Sequence, residues 1–276
     1  MKTLYMADLD GTLLPKGDKL SPEVVKTLNA LVERGLPFTI NTSRTPRSIA
    51  PVLSDLKLKL PIILMNGSCV YDTNSGAVSF LRTIDSKTAS NVVSICKSTG
   101  LNPFLFSYKD GDVSVSYTGA VTPAEKKFIE ARLGYYPSFK KTTDYNVSIH
   151  TPYIICVGAK TLLEKLEKRL KRISAISCSL FISGDESYCF LEVYSKSAGK
   201  ANGAKNFMDN FGFQRLIAFG DNLNDIDMLK IADCGIAVEN AFDEAKAVAD
   251  LVIGSCESGA VADWLTVEWS RKPEMY

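Results

Sequence analysis

The sequence predicts an α/β fold in which a parallel βαβ sheet is interrupted by an α+β segment. Two changes of pattern carry that prediction. Residues 1 to about 82 alternate short apolar runs with amphipathic stretches, and the same alternation resumes from 199. Between them, from about 83 to 190, extended runs separated by turn residues dominate. Alternating strands and helices imply parallel neighbours joined by right-handed crossovers. Extended runs joined by a turn such as Lys109-Asp110-Gly111-Asp112 imply antiparallel hairpins. With 276 residues the chain can hold one core carrying one inserted domain.

The elements follow in order. An apolar run at 3–8 reads as a buried strand. A helix follows from Ser21-Pro22-Glu23 to Arg34-Gly35, with Ser21 as N-cap, Pro22 in the first turn and Gly35 as the stop. A strand is expected at 36–41, a helix near 46–56 and a strand at 61–65. Short extended pieces at 69–72 and 77–81 form a hairpin. The inserted segment then reads as helix 85–99, strands 104–108 and 113–118, helix 123–133, strand 153–159, helix 161–172 and strands 176–183 and 188–194, the last two joined through Gly184-Asp185-Glu186-Ser187. The basic face of helix 161–172 is read as solvated. The core pattern resumes with helix 199–211, strand 215–219, helix 224–232, strand 234–238, helix 241–249 and strand 251–253. A last helix, 261–269, packs through Trp264 and Leu265, and the tail from 271 frays.

Chemistry is concentrated at two strand ends. Leu4-Tyr5-Met6-Ala7 runs into Asp8-Leu9-Asp10-Gly11-Thr12, and Leu216-Ile217-Ala218-Phe219 runs into Gly220-Asp221-Asn222-Leu223-Asn224-Asp225. In an open parallel sheet, ligands bind outside the carboxyl ends of the strands, and two such loops can face one crevice. Carboxylates held that close are costly unless a cation lies between them, and oxygen ligands suit a hard divalent ion such as Mg2+. Either cluster alone could be a chance acidic loop; the two together predict a metal site at which one Asp acts on a phosphate.

With these residues the chain resembles the haloacid dehalogenase (HAD) phosphohydrolases, and among them the Cof-type sugar-phosphate phosphatases. Four motifs stand in that family's order: DLDGT at 8–12, Asn41-Thr42-Ser43-Arg44 after a strand, Lys200 in Ser197-Ala198-Gly199-Lys200, and GDNLND at 220–225. Met65-Asn66-Gly67-Ser68 and Ile236-Ala237-Val238-Glu239-Asn240-Ala241, with Ala249-Asp250 behind it, add support. The resemblance implies a Rossmann-like parallel-sheet HAD core, residues 1–82 and 191–276, and an α+β cap, 83–190, that governs substrate specificity. It implies a Mg2+-dependent phosphatase acting on small phosphate monoesters, sugar or related metabolite phosphates, through an aspartyl-phosphate intermediate. A phosphohexomutase of the same superfamily and a non-catalytic phosphosugar sensor are the alternatives.

The roles it implies are specific. Asp8 is the nucleophile and Asp10 the acid that protonates the leaving alcohol and then activates water. Asp221 completes the Mg2+ site with Asp8 and the backbone carbonyl of Asp10, and Asn224 and Asp225 complete or orient that shell. Thr42 hydrogen-bonds a phosphoryl oxygen and Lys200 keeps Asp8 ionised. Thr42, Ser43, Arg44, Asn66, Gly67 and Asn224 are the substrate-binding candidates, with Arg47, Tyr188 and Glu192 as further candidate contacts. Thr42 could instead be a strand-end or capping hydroxyl, Arg44 and Arg47 could make salt bridges or stay solvated, and Lys196 rivals Lys200. The second motif departs from the usual Ala-Thr-Gly-Arg: Ser43 lacks glycine's tolerance of positive φ, so the turn and the position of Arg44 are expected to differ.

Composition narrows the function classes. Thirty-two basic and 31 acidic residues give a net charge of +1, which offers no field for nucleic acid or an anionic membrane. No apolar run approaches the roughly 20 residues that span a bilayer. Asp8 and Asp10 fall where a signal peptide would be apolar. Seven cysteines, scattered without a CxxC pair, read as reduced core thiols of a cytoplasmic protein. His150, the only histidine, reads as a loop residue far from the acids, which argues against a Ser-His-Asp hydrolase. The expected partner is a small phosphorylated metabolite; the oligomeric state is not encoded legibly.

Overall fold

The structure, a computed structural model, describes the chain except residues 16, 18, 110, 111, 120, 133–138, 146, 148–150, 183–187 and 272–276, and describes residues 79, 80, 109 and 112 by their backbone alone. The expected turns at 110–111 and 184–187, the loop assignment of His150 and the tail from 272 lie outside the described residues. The chain divides into two compact units. One comprises Met1–Arg44, Ser48–Ser79 and Lys200–Tyr276, and the other Thr45–Arg47 with Phe80–Gly199. Among the described residues no helix is long and apolar enough to cross a membrane.

The chain opens with β1 (Thr3–Ala7), α1 (Pro22–Glu33), β2 (Phe38–Ile40), α2 (Pro46–Ile49), β3 (Ile62–Leu64), β4 (Cys69–Tyr71) and β5 (Val78–Leu81). Helix α1 forms as its signals dictate. The Ser21 hydroxyl accepts a hydrogen bond from Val24 N at 3.2 Å, Pro22 opens the first turn, and Gly35 leaves at φ +95°. Its inward stripe, Val24, Leu28, Leu31 and Val32, follows the i, i+4, i+7, i+8 spacing and is buried. Helix α2 is shorter than the expected 46–56. Ala50 precedes Pro51, whose ring disfavours helical backbone at the residue before it, and the helix stops at Ile49.

The second unit contains α3 (Ser86–Ser98), β6 (Phe104–Lys109), β7 (Asp112–Tyr117), α4 (Pro123–Glu130), β8 (Phe139–Lys141), β9 (Tyr153–Gly158), α5 (Lys160–Leu170), β10 (Ile176–Ile182) and β11 (Cys189–Ser195). Its six-stranded sheet has the order β10-β11-β9-β6-β7-β8. Helices α3 and α5 cover one face through Val92, Cys96, Leu163 and Leu166, against Ile154 and Leu191. Phe104, Phe128 and Phe139 cluster together, the first two rings 4.9 Å apart. Strand β8 was not expected: Phe139-Lys140-Lys141 has no apolar alternation, and pairing with β7 in parallel creates it. Strand β11 pairs with β10 as far as Ser195, so residues 191–195, assigned to the core from sequence, belong to this sheet.

The first unit resumes with α6 (Lys200–Phe211), β12 (Arg215–Gly220), α7 (Ile226–Ile231), β13 (Cys234–Val238), α8 (Asp243–Lys246), β14 (Leu251–Ile253) and α9 (Ala260–Ser270). Its five-stranded sheet, ordered β14-β13-β12-β1-β2, is parallel throughout. Helix α8 is shorter than the expected 241–249. Asp250 is tied to β13 twice, through Asp250 N to Gly235 O and Gly235 N to the Asp250 carboxylate, both 2.7 Å, and that tether pulls the chain out of the helix. Helix α9 closes on the sheet with Trp264 edge-on to Phe219 at 5.3 Å and Leu265 fully buried.

Ser21→Ala removes the hydroxyl that caps α1. It is expected to lower the unfolding free energy by about 1 kcal/mol, read from the urea midpoint, without changing turnover below the transition.

Candidate active site

Strands β1 and β12 lie side by side, and the chain leaves them toward opposite edges, β1 to β2 and β12 to β13. A reversal of this kind opens a crevice at the carboxyl ends of the two strands. Asp8 follows β1 and Asp221 follows β12. The pairing extends one residue further through Asp8 N, which donates to Phe219 O at 2.9 Å.

Three buried carboxylates meet there. Asp8, Asp221 and Asp225 can each present an oxygen within 4.8 Å of the others. Lys200, the first residue of α6 and 2 % exposed, places its Nζ 2.7 Å from Asp8 Oδ1 and 2.6 Å from Asp225 Oδ1. The second oxygen of Asp225 accepts from Asp221 N at 3.2 Å and Asn222 N at 3.0 Å. Asp225 is thereby spent on holding the lysine and its own loop. Gly220 makes room for it: a Cβ there would stand 2.6 Å from Asp225 Cβ.

The loop after β1 is shaped around Asp221. Thr12 donates its hydroxyl to Asp221 Oδ1 at 2.8 Å. Gly11 has φ +83°, and a Cβ at this position would run into the Asp221 carboxylate, so both backbone and space require glycine. The Asn240 amide donates to Gly11 O at 2.7 Å while its oxygen accepts from Cys256 N at 2.8 Å. Thr12 and Asn240 had no assigned role from sequence. Thr12 lies within the first motif, and its partner is visible only once β1 and β12 are neighbours.

Burial raises the pKa of Asp8 well above its ordinary value. The Lys200 charge opposes this, and Asp225 and Asp221 add to it. Asp221 is pushed up to about 6 by burial and then by the charge of Asp225. For Lys200, burial acts against the charged form, but Asp225 and Asp8 outweigh it and its pKa is raised. Three carboxylates against one ammonium leave two formal negative charges uncompensated in a water-poor site. Uncompensated buried ions cost several kcal/mol each. An all-oxygen donor set with that residual charge fits a hard divalent cation.

Asp10 is directed elsewhere. Its half-exposed carboxylate is held by a two-pronged contact with Arg44, Nη2 to Oδ1 at 2.7 Å and Nε to Oδ2 at 2.9 Å, while Arg44 Nη1 donates to Ser48 O at 3.1 Å. Thr42 is fully buried, and its Oγ1 accepts from Arg44 N at 3.2 Å. Ser43 does not adopt positive φ; among the described residues the only non-glycine ones that do are Met65 and Asn66, at 52° and 49°. The turn therefore asks nothing of Ser43 that only glycine could meet. Asn66, fully buried, accepts from Asn224 Nδ2 at 2.9 Å, and Gly67 packs under α6, where a Cβ on Gly203 would lie 2.8 Å from Gly67 Cα. Lys196 and Arg47 are exposed. Glu192 is buried in the second unit's sheet, and Tyr188 lies edge-on to Phe128.

A family model described as haloacid dehalogenase-like hydrolase matches residues 5–265. The chain belongs to this family. This hydrolase is 28% identical over 278 residues to the HMP-PP phosphatase of Serratia proteamaculans, covering 99% of this chain and 97% of that one. It is 25% identical over 277 residues to the 5-amino-6-(5-phospho-D-ribitylamino)uracil phosphatase YitU of Bacillus subtilis, covering 95% and 96%. Its fold matches the HAD subclass IIB sugar phosphatase BT4131 with a TM-score of 0.79, over 98% of this chain and 99% of that one, at 20% identity. The chain is a haloacid dehalogenase-like hydrolase, and the relatives it resembles over nearly their whole length are named phosphatases.

Lys200→Met strands Asp8 and Asp225 without their cation and is expected to cost about 3–5 kcal/mol of stability. Adding Asp225→Asn should restore a large part of it, with denaturant unfolding of the single and double variants as the measurement.

Proposed function

We propose that this hydrolase releases phosphate from small phosphorylated metabolites, sugar phosphates or related monoesters, in a Mg2+-dependent reaction through a covalent phosphate on Asp8. The observation that carries the proposal is the Lys200 ammonium seated on Asp8 beside Asp221. Burial disfavours ionised Asp8 and the Lys200 ammonium opposes that push, the arrangement expected of a carboxylate that must be ionised and aimed while it attacks a dianion. The named substrates of the relatives, an HMP pyrophosphate and a phosphoribitylamino-uracil, support a small metabolite as substrate.

In the first step an Asp8 oxygen attacks phosphorus, the P–O bond to the leaving alcohol breaks, and Asp10 gives that oxygen its proton. In the second step Asp10 takes a proton from water as the water oxygen attacks phosphorus. The P–O bond to Asp8 then breaks, releasing inorganic phosphate and the free carboxylate. Thr42 donates its hydroxyl to a phosphoryl oxygen, and the same hydroxyl oxygen, accepting from Arg44 N, links that site to Asp10. Arg44 orients Asp10 and, with no proton to lose at working pH, does not compete with it. Mg2+ would be held by Asp8, Asp221 and the Asp10 carbonyl, with Asn224 and Asp225 orienting that shell, and would supply compensation for the charge on the transferring group. Asn66, Gly67, Ser43 and Arg44 border the phosphate. The inserted segment, 83–190 by the sequence boundaries, is assigned the choice of leaving group.

The test is phosphate release from para-nitrophenyl phosphate and a panel of sugar phosphates, with Mg2+ and with a chelator. Turnover is expected to require Mg2+ and to fall at least about 10³-fold in Asp8→Asn. Asp10→Ala is expected to lose about 10²-fold or more on sugar phosphates and less on para-nitrophenyl phosphate, whose leaving group needs little proton assistance. Undiminished turnover in Asp8→Asn would overturn the mechanism; isomerised sugar phosphate in place of free phosphate would indicate a mutase.

A further inference from the structure

Asn41 is fully buried at the end of β2, in the row of the sheet that carries Asp8. Its backbone N donates to Ala7 O at 2.9 Å, one residue before the nucleophile. Its side-chain Nδ2 donates to Lys200 O at 3.0 Å, the carbonyl of the residue whose ammonium holds Asp8. The remaining neighbours of that amide are sulfurs, Met6 Sδ at 3.4 Å and Met228 Sδ at 3.5 Å, which are weak acceptors. Asn41 Oδ1 is buried with no hydrogen-bond partner.

A buried amide with an orphaned oxygen is a poor way to fill a core site between two methionines, because an unsatisfied polar atom costs stability and an apolar side chain would not. What Asn41 supplies that alanine, the residue usual at this point of the resembled motif, does not is a fixed link between the strand pair beneath Asp8 and the first turn of α6. We propose that Asn41 is a positioning residue for phosphoryl transfer. Its amide holds the start of α6 so that the Lys200 ammonium stays between Asp8 and Asp225. Lys200 begins its helix directly after Gly199, which has φ +96°. The side chain that neutralises Asp8 hangs from that one residue, and small displacements of a catalytic group cost large factors in rate.

This role presupposes the Asp8 chemistry proposed above, and the experiment separates the two. In Asn41→Ala, kcat for a sugar phosphate is expected to fall about 10-fold with KM within about twofold, since the lysine's aim and not substrate binding is affected. In a Lys200→Arg background, already impaired because the longer fork cannot reproduce the ammonium's two contacts, the same substitution should change kcat by less than about twofold, the non-additivity expected of residues acting as a unit. Thermal melting shows that each variant is folded, and Asn41→Ser, whose hydroxyl is too short to reach Lys200 O, carries the same expectation if the alanine variant does not fold. Full kcat in Asn41→Ala, or equal fractional losses in both backgrounds, would overturn the role of Asn41 alone. A wild type that releases no phosphate with Mg2+ would overturn the function as well.

Discussion

The rest of this acidic crevice depends on one interaction, the buried Lys200 ammonium. Asp8, Asp221 and Asp225 share one crevice, and Lys200 is the cation that makes their proximity tolerable. That requirement sets the architecture around it. Lys200 begins helix α6, and from that first residue its side chain reaches both acids. Helix α6 must in turn come close to the turn after β3, and it does so because Gly203 and Gly67 present no side chains to each other. Asp225 gives one oxygen to the lysine and the other to its own loop's N–H groups, which ties the GDNLND segment to Lys200.

The second constraint is conformational. Met65, Asn66 and Gly67 are three successive residues with left-handed backbone. For a residue such as Met65 this conformation costs roughly 1–2 kcal/mol, and it persists because its surroundings determine it. Met65 N donates to Arg44 O and Asn66 N to Thr42 O, so the backbone of the second motif is the template for the strained turn. The same short segment, Thr42 to Arg44, thereby shapes the turn that presents Asn66 to Asn224 and carries the guanidinium that grips Asp10. Strain of this kind concentrates where geometry matters to function.

The acids of the crevice were legible because chemistry marks them: a carboxylate directly after an apolar strand has no packing reason to be there. The parallel sheet was legible from the alternation of elements, and α1 from Ser21, Pro22 and Gly35. Other features depend on contacts that no local pattern records. Lys200 and Lys196 differ in sequence by position alone; the first is buried against Asp8 and the second is exposed. Asn41 has a polar side chain at a strand end, and its significance appears only when α6 arrives from residue 200. Strand β8 exists through its partner, and helices α2 and α8 are cut short, the first by Pro51 and the second by the tether of Asp250 to Gly235.

The central strand pair carries a cost in time. Thr3 of β1 pairs with Arg215 of β12, so the two halves of the acidic crevice are joined only after the whole second unit has been synthesised. Closing so long a loop costs several kcal/mol of chain entropy by the logarithmic law, a cost reduced when the intervening 120-odd residues have already collapsed into their own sheet. Until β12 emerges from the ribosome, Leu4-Tyr5-Met6-Ala7 has β2 on one side and an unpaired edge on the other, an apolar edge of the kind that recruits wrong partners. The inserted unit thus lengthens the interval during which that nascent edge is exposed to aggregation.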